Sequence, residues 1–153
     1  MSDRAETLVI GVGNTMRSDD GVGPWVAGKL SACGHRAYVY AGDGAGLIDL
    51  LGTASSIVLV DATRSGAIPG TLRTIDAVHR PLPADFFHYS THRFGLAEAV
   101  ETARALGLLP RELKVYGIEG ECFDAGEVIT APVRRTASLL VEWLSWLRGE
   151  ASV

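Results

Sequence analysis

Apolar residues along the chain fall into two recurring patterns. Short continuous runs are rich in β-branched and aromatic residues: TLVIGV at Thr7–Val12, AYVYA at Ala37–Ala41, SIVLV at Ser56–Val60 and LKVYG at Leu113–Gly117. Runs of this kind read as strands, the first of them as a buried parallel one. Between them apolar residues return every three or four positions, the period of a helix with one face on a core. Val22, Trp25, Val26 and Leu30 mark such a face over Asp20–Cys33, and Leu47–Leu51 makes a short helix. Leu96, Ala99, Val100 and Ala103 mark a helix over Arg93–Leu106, and Val133, Ala137, Leu140, Trp143 and Leu147 a closing helix over Pro132–Leu147. Ser18 and Asp19 stand where the first helix needs an N-cap, Pro24 fits its first turn, and Gly107 stops the third. GTLRTI at Gly70–Ile75 alternates and reads as an additional strand, while residues 76–91 and 119–130 read as loops.

Strands alternating with helices predict an α/β fold: one three-layer α/β/α domain over residues 1–153 with a mainly parallel central sheet. Ligands of such folds sit beyond the carboxyl ends of the strands. That rule gathers Gly11–Asp20, Gly42–Gly46, Asp61–Ser65 and Ile118–Phe123 on one rim.

Composition narrows the function classes. The chain has 153 residues, 47% of them hydrophobic and 21% charged, with a formal net charge of −4. An acidic balance argues against a protein built to hold nucleic acid. Cys33 and Cys122 form no paired motif and read as reduced thiols, so a cytoplasmic location is expected. The first residues form neither a signal peptide nor a membrane span.

The stretch IGVGNTMRSDDGVG at residues 10–23 looks at first like a nucleotide loop. Gly11 and Gly13 fit the dinucleotide fingerprint, but Met16 occupies its third glycine position, and no Walker sequence exists. Adjacent aspartates would also repel a pyrophosphate, by roughly 1 kcal/mol or more at contact range. Asp19 is accounted for as a helix cap, worth about 0.3–1 kcal/mol. Asp20, Asp61 at the end of IVLVD, and His92 before an amphipathic helix come from three separate segments. Two carboxylates and one imidazole make an open site for a divalent metal. No GxSxG or HExxH sequence occurs, which excludes the ordinary serine and zinc hydrolase readings.

The blocks GVGNTMRSDDGVG, IVLVDATRSGAIPGTL, STHRFGLAEAV and VYGIEGECFDAG, in this order, resemble the [NiFe]-hydrogenase maturation proteases over nearly the whole chain. The resemblance implies an endopeptidase that removes the C-terminal extension of a hydrogenase large-subunit precursor after nickel insertion. It implies that Asp20, Asp61 and His92 are the catalytic and metal-contacting residues, at positions of which the first is often glutamate in the family. It also implies a recognition role for Asp43, with Gly42 and Gly44, in the turn AGDGAG. Nickel is then supplied by the substrate, no organic cofactor is needed, and the partner is the precursor. A monomer is expected in the free state, with no nucleic acid or membrane. Two other readings are weighed against this one. One is a metal-sensing binding protein or chaperone that does not cut. The other is a peptidyl-tRNA-hydrolase-like enzyme, whose early GxGN turn continues with a proline where this chain has Thr15.

Overall fold

The computed structural model describes residues 7–83, 87 and 94–151. Five strands form one sheet: β1 (Leu8–Val12), β2 (Ala37–Tyr40), β3 (Ser56–Thr63), β4 (Leu72–Asp76) and β5 (Glu112–Glu119), in the spatial order β2-β1-β3-β5-β4. Only β4, the strand foreseen at Gly70–Ile75, runs antiparallel, against β5. The helices are α1 (Val22–Ala32), α2 (Gly44–Leu51), α3 (Leu96–Ala105) and α4 (Ala131–Ala151).

Alternate residues of each buried strand serve opposite cores, as the period of two demands. Leu8 and Ile10 of β1, Ile57 and Leu59 of β3, and Leu113 and Val115 of β5 pack with Leu47 and Leu51 of α2 and with α3. Val9, Val58, Val60, Tyr116 and Ile118 face the other way, onto Val22, Val26 and Leu30 of α1 and Val133, Ala137 and Leu140 of α4. This double burial is why β1, β3 and β5 read as continuous apolar runs; β2, at the edge of the sheet, is as apolar in sequence but largely exposed.

Several boundaries move. A 3-10 turn at Ser18–Gly21 precedes α1, whose N-cap is Gly21, so neither Ser18 nor Asp19 caps it. Helix α2 starts at Gly44 rather than Leu47, with Asp43 as its cap accepting from the Gly46 amide at 3.2 Å. Strand β3 runs two residues past Asp61 because β5 pairs with it as far as Thr63 opposite Glu119. Helix α3 begins at Leu96; the start expected at Arg93 lies outside the described residues.

Helix α1 lies unusually near the sheet. A Cβ on Gly11 would come 2.0 Å from the Gly23 carbonyl oxygen, and one on Gly23 would come 2.4 Å from the Val12 and Val60 carbonyl oxygens. Two facing glycines therefore set the helix–sheet spacing. Gly23→Ala is expected to destabilise the protein by about 1–3 kcal/mol, because backbone atoms must move. Gly28→Ala, on the same helix but with no atom within 4 Å of its added carbon, is expected to stabilise by ~0.5–1 kcal/mol. Thermal unfolding of the two variants should shift in opposite directions; equal shifts would remove the close approach as the cause.

Candidate functional site

In this strand order the chain leaves β1 toward β2 on one side and reaches β3 on the other, so β1 and β3 border the switch point of the sheet. Their pairing ends at Gly11 opposite Val60, while β3 continues along β5. Asp61 is the next residue of β3, on the α2–α3 face, and it borders the crevice left where β1 turns away. Asp20 approaches from the β1–α1 loop. Gly13, at φ 146°, makes that approach possible: a Cβ there would sit 2.0 Å from the Asp20 carbonyl oxygen. The Asn14 amide, next in line, donates to Asp20 Oδ2 at 3.0 Å.

One cleft, open to solvent, gathers these groups. Asn14, Arg17 and Asp20 line it from the first loop, Asp61 from β3, and Gly42, Asp43 and Gly44 from the turn into α2. Phe87 and Phe94 close it on the α3 side. Five of the six residues singled out in the sequence thus reach one crevice. The sixth, His92, lies outside the described residues. Among the described residues no three His, Cys, Asp or Glu side chains cluster to hold a metal ion.

The two carboxylates are electrostatically uncomfortable. Burial raises the pKa of Asp20, against the opposing pull of the Asn14 amide and the Arg17 charge. Asp61 is raised well above the ordinary carboxylate range, first by burial and then by the nearby Asp20 charge. The Ala62 amide, donating to Asp61 Oδ1 at 2.8 Å, offsets only part of this. A desolvated pair of like charges either holds a proton or receives a cation. It can therefore exchange a proton with a reacting group, or bind a metal brought to it.

Asp19 behaves differently, correcting the cap assignment. It is fully buried. Its Oδ2 accepts from the Glu121 and Cys122 amides at 2.8 and 3.0 Å and from the Thr130 hydroxyl at 2.8 Å, and its Oδ1 from the Thr130 amide at 2.7 Å. Ser18, with a positive φ of 52°, donates from its hydroxyl to the Asp124 carbonyl at 2.8 Å. Together they fasten the loop after β5 to the loop that carries Asp20. Glu119 does the same for the loop after β3, accepting from the Thr63 and Ser65 hydroxyls at 2.8 and 2.7 Å and from the Ser65 and Gly66 amides. Sequence reasoning missed both roles. The partners of Asp19 lie more than 100 residues away, and nothing local marks them.

Fold and cleft define a doubly wound α/β protein with an acidic site at its switch point. Residues 41–145 match the family model for hydrogenase maturation proteases. The chain is similar to the hydrogenase expression/formation protein HupD of Rhizobium leguminosarum bv. viciae, 26% identical over 145 residues, 88% of this chain and 70% of that one. It is 30% identical over 135 residues to HupM of Azotobacter chroococcum, covering 83% of this chain and 64% of that one. Among solved structures it superposes on the hydrogenase-maturating endopeptidase HybD of E. coli with a TM-score of 0.75 at 24% identity, over 94% of this chain and 93% of that chain. On the [NiFe] hydrogenase maturation protease HybD of Thermococcus kodakarensis the TM-score is 0.72 at 22% identity, over 93% and 98%. At these identities the superpositions establish the fold. The chain belongs to the hydrogenase maturation protease family, and with it to the peptidases. The matched stretch contains Asp43, Asp61 and His92; Asp20 lies ahead of it.

Asp19→Asn is expected to cost about 1–3 kcal/mol, because an amide group would turn a donor toward donors. Asp61→Asn should behave oppositely. A raised folded-state pKa contributes stability that is present below the unfolded value, about 3.9, and is lost as pH rises through the folded value. The neutral asparagine does not incur that loss. Unfolding of Asp61→Asn should match the parent near pH 4 and occur at higher temperature at pH 8; the reverse order would remove the desolvated pair.

Proposed function

We propose that this protein removes the C-terminal extension of a [NiFe]-hydrogenase large-subunit precursor once nickel is in place, and that it reads the nickel on the precursor's own cysteine thiolates. The observation that carries the reading is the Asp20–Asp61 pair, two partly buried carboxylates from different segments sharing one crevice. The Asn14 and Ala62 amides and the Arg17 charge offset only part of the burial and repulsion that raise their pKa values. A cation delivered with the substrate would relieve the repulsion.

Carboxylate oxygens and the imidazole of His92 are competent nickel donors, but they compete poorly with thiolates for the same ion. Such a site responds weakly to free nickel and strongly to nickel held within reach by a docked precursor. Loading then acts as a checkpoint before cleavage. The same groups serve the chemistry. Displacement of the proton from Asp61 leaves a carboxylate able to take a proton from the attacking water. The neutral form can return it to the departing amine. Asp43, Gly42 and Gly44, which line the cleft at the turn into α2, would contact the segment on one side of the scissile bond. The setting is the cytoplasm, where Cys33 and Cys122 stay reduced; no helix among the described residues is long and apolar enough to cross a membrane.

Processing of nickel-loaded precursor, followed by the mass of the released extension, tests the reading. Asp61→Asn and His92→Ala are each expected to lower kcat/KM by at least ~100-fold. Nickel-free precursor should remain uncut by the parent enzyme. Because the proton on the carboxylate pair must leave before the cation is met, the acid limb of kcat/KM should lie above the ordinary carboxylate value of about 4. Full activity in both variants would refute the assignment of the site, and equal cutting of nickel-free precursor would refute the checkpoint.

A further inference from the structure

Strand β2 is the open edge of the sheet beside the cleft, and its exposed groups follow a definite pattern. The Val9 amide donates to the Arg36 carbonyl at 3.0 Å and the Gly13 amide to the Tyr40 carbonyl at 3.1 Å. In a parallel pair both polar groups of a residue point to the same side, and successive residues alternate. Arg36, Tyr38 and Tyr40 therefore address β1, while Ala37 and Val39 turn their amides and carbonyls outward, and Ala41 its amide. Among the described residues no strand pairs with that side. The edge also lacks the usual protections: β2 contains neither lysine nor proline. Its two middle residues are exposed on opposite faces, Tyr38 at 51% and Val39 at 48%.

The edge leads directly into the cleft. Tyr40, Ala41, Gly42 and Asp43, the residues that follow Val39, line it. A polypeptide lying along β2 and continuing past its carboxyl end arrives over Asp20 and Asp61. We infer that β2 receives an extended segment of the substrate as an added strand, held by the outward backbone groups of Ala37, Val39 and Ala41. This rests on the peptidase reading above and names how that substrate is held. The occupant is an extended polypeptide because the edge offers main-chain partners and shallow side-chain contacts, which is the chemistry of strand addition. Its continuity with the cleft selects the chain to be cut over an unrelated partner.

Spacing gives the register. From the added strand to the crevice between β1 and β3 is about two and a half strand separations, ~12 Å, which an extended chain crosses in about four residues. The paired segment therefore lies about four residues from the scissile bond.

Val39→Pro isolates the interaction. It removes an outward amide, leaves the ladder to β1 untouched, and suits a strand edge. Val39→Ala removes the side chain and keeps the amide. With nickel-loaded precursor, Val39→Pro should raise KM about tenfold, the worth of roughly one lost hydrogen bond and a displaced strand, with kcat nearly unchanged. Val39→Ala should raise KM much less than Val39→Pro does. Hydrogen exchange on the parent enzyme provides a readout independent of folding of the variant: the Val39 and Ala41 amides should slow when the precursor is added. Unchanged KM in Val39→Pro, equal loss in Val39→Ala, or no protection of these amides would each overturn the inference. So would a change in Val39→Pro confined to self-association of the free enzyme, which would assign the edge to a second copy. If Asp61→Asn abolishes cleavage while Val39→Pro does not alter KM, the peptidase site stands and only the strand addition fails.

Discussion

The site depends on how closely α1 can approach the sheet. Gly11 on β1 and Gly23 on α1 meet with no room for a side chain on either. Their contact holds the helix start against the carboxyl ends of β1 and β3. Gly13 then lets the backbone of Asp20 fold onto the β1–α1 loop. A methyl group at any of these points would push the helix outward and carry Asp20 away from Asp61. The glycines that look like a phosphate cradle in sequence thus serve close packing of backbone on backbone.

Four carboxylates at the same rim separate into two kinds. Asp19 and Glu119 are buried and surrounded by donors that they fully engage. They tie the loops after β5 and β3 to the scaffold, and a charge so well partnered is structural. Asp20 and Asp61 each accept one amide and face each other across the crevice. Their raised pKa values express free energy that tight folding alone would have removed, for instance by an asparagine at either position. Adjacent aspartates therefore do opposite work: the first secures the wall on which the second is displayed. Rigid loops are what allow a strained pair to persist, because a mobile Asp20 would swing into solvent and lose the burial that raises its pKa.

Much of this was present in the residue pattern. Continuous apolar runs and three-to-four periodicity were enough for the element order and the parallel α/β class, since burial on both sheet faces forces that composition. The turns at strand ends were enough to collect Asp20, Asp43 and Asp61 on one rim, because parallel strands with helical crossovers place every such turn at the same end. The order of motifs carried the family resemblance that the match over residues 41–145 bears out. Tertiary structure alone decided the rest. Asp19 and Asp20 are chemically identical neighbours, and only donors from residues 121–130 make one a clamp. Glu119 reads as the first residue of a loop until β5 is seen to carry it alongside Thr63 and Ser65. The pKa of Asp61 depends on desolvation and on a charge 41 positions away, and the open edge of β2 depends on which strands found neighbours. These properties arise from the meeting of segments distant in the chain, whereas periodicity records only each segment's relation to water.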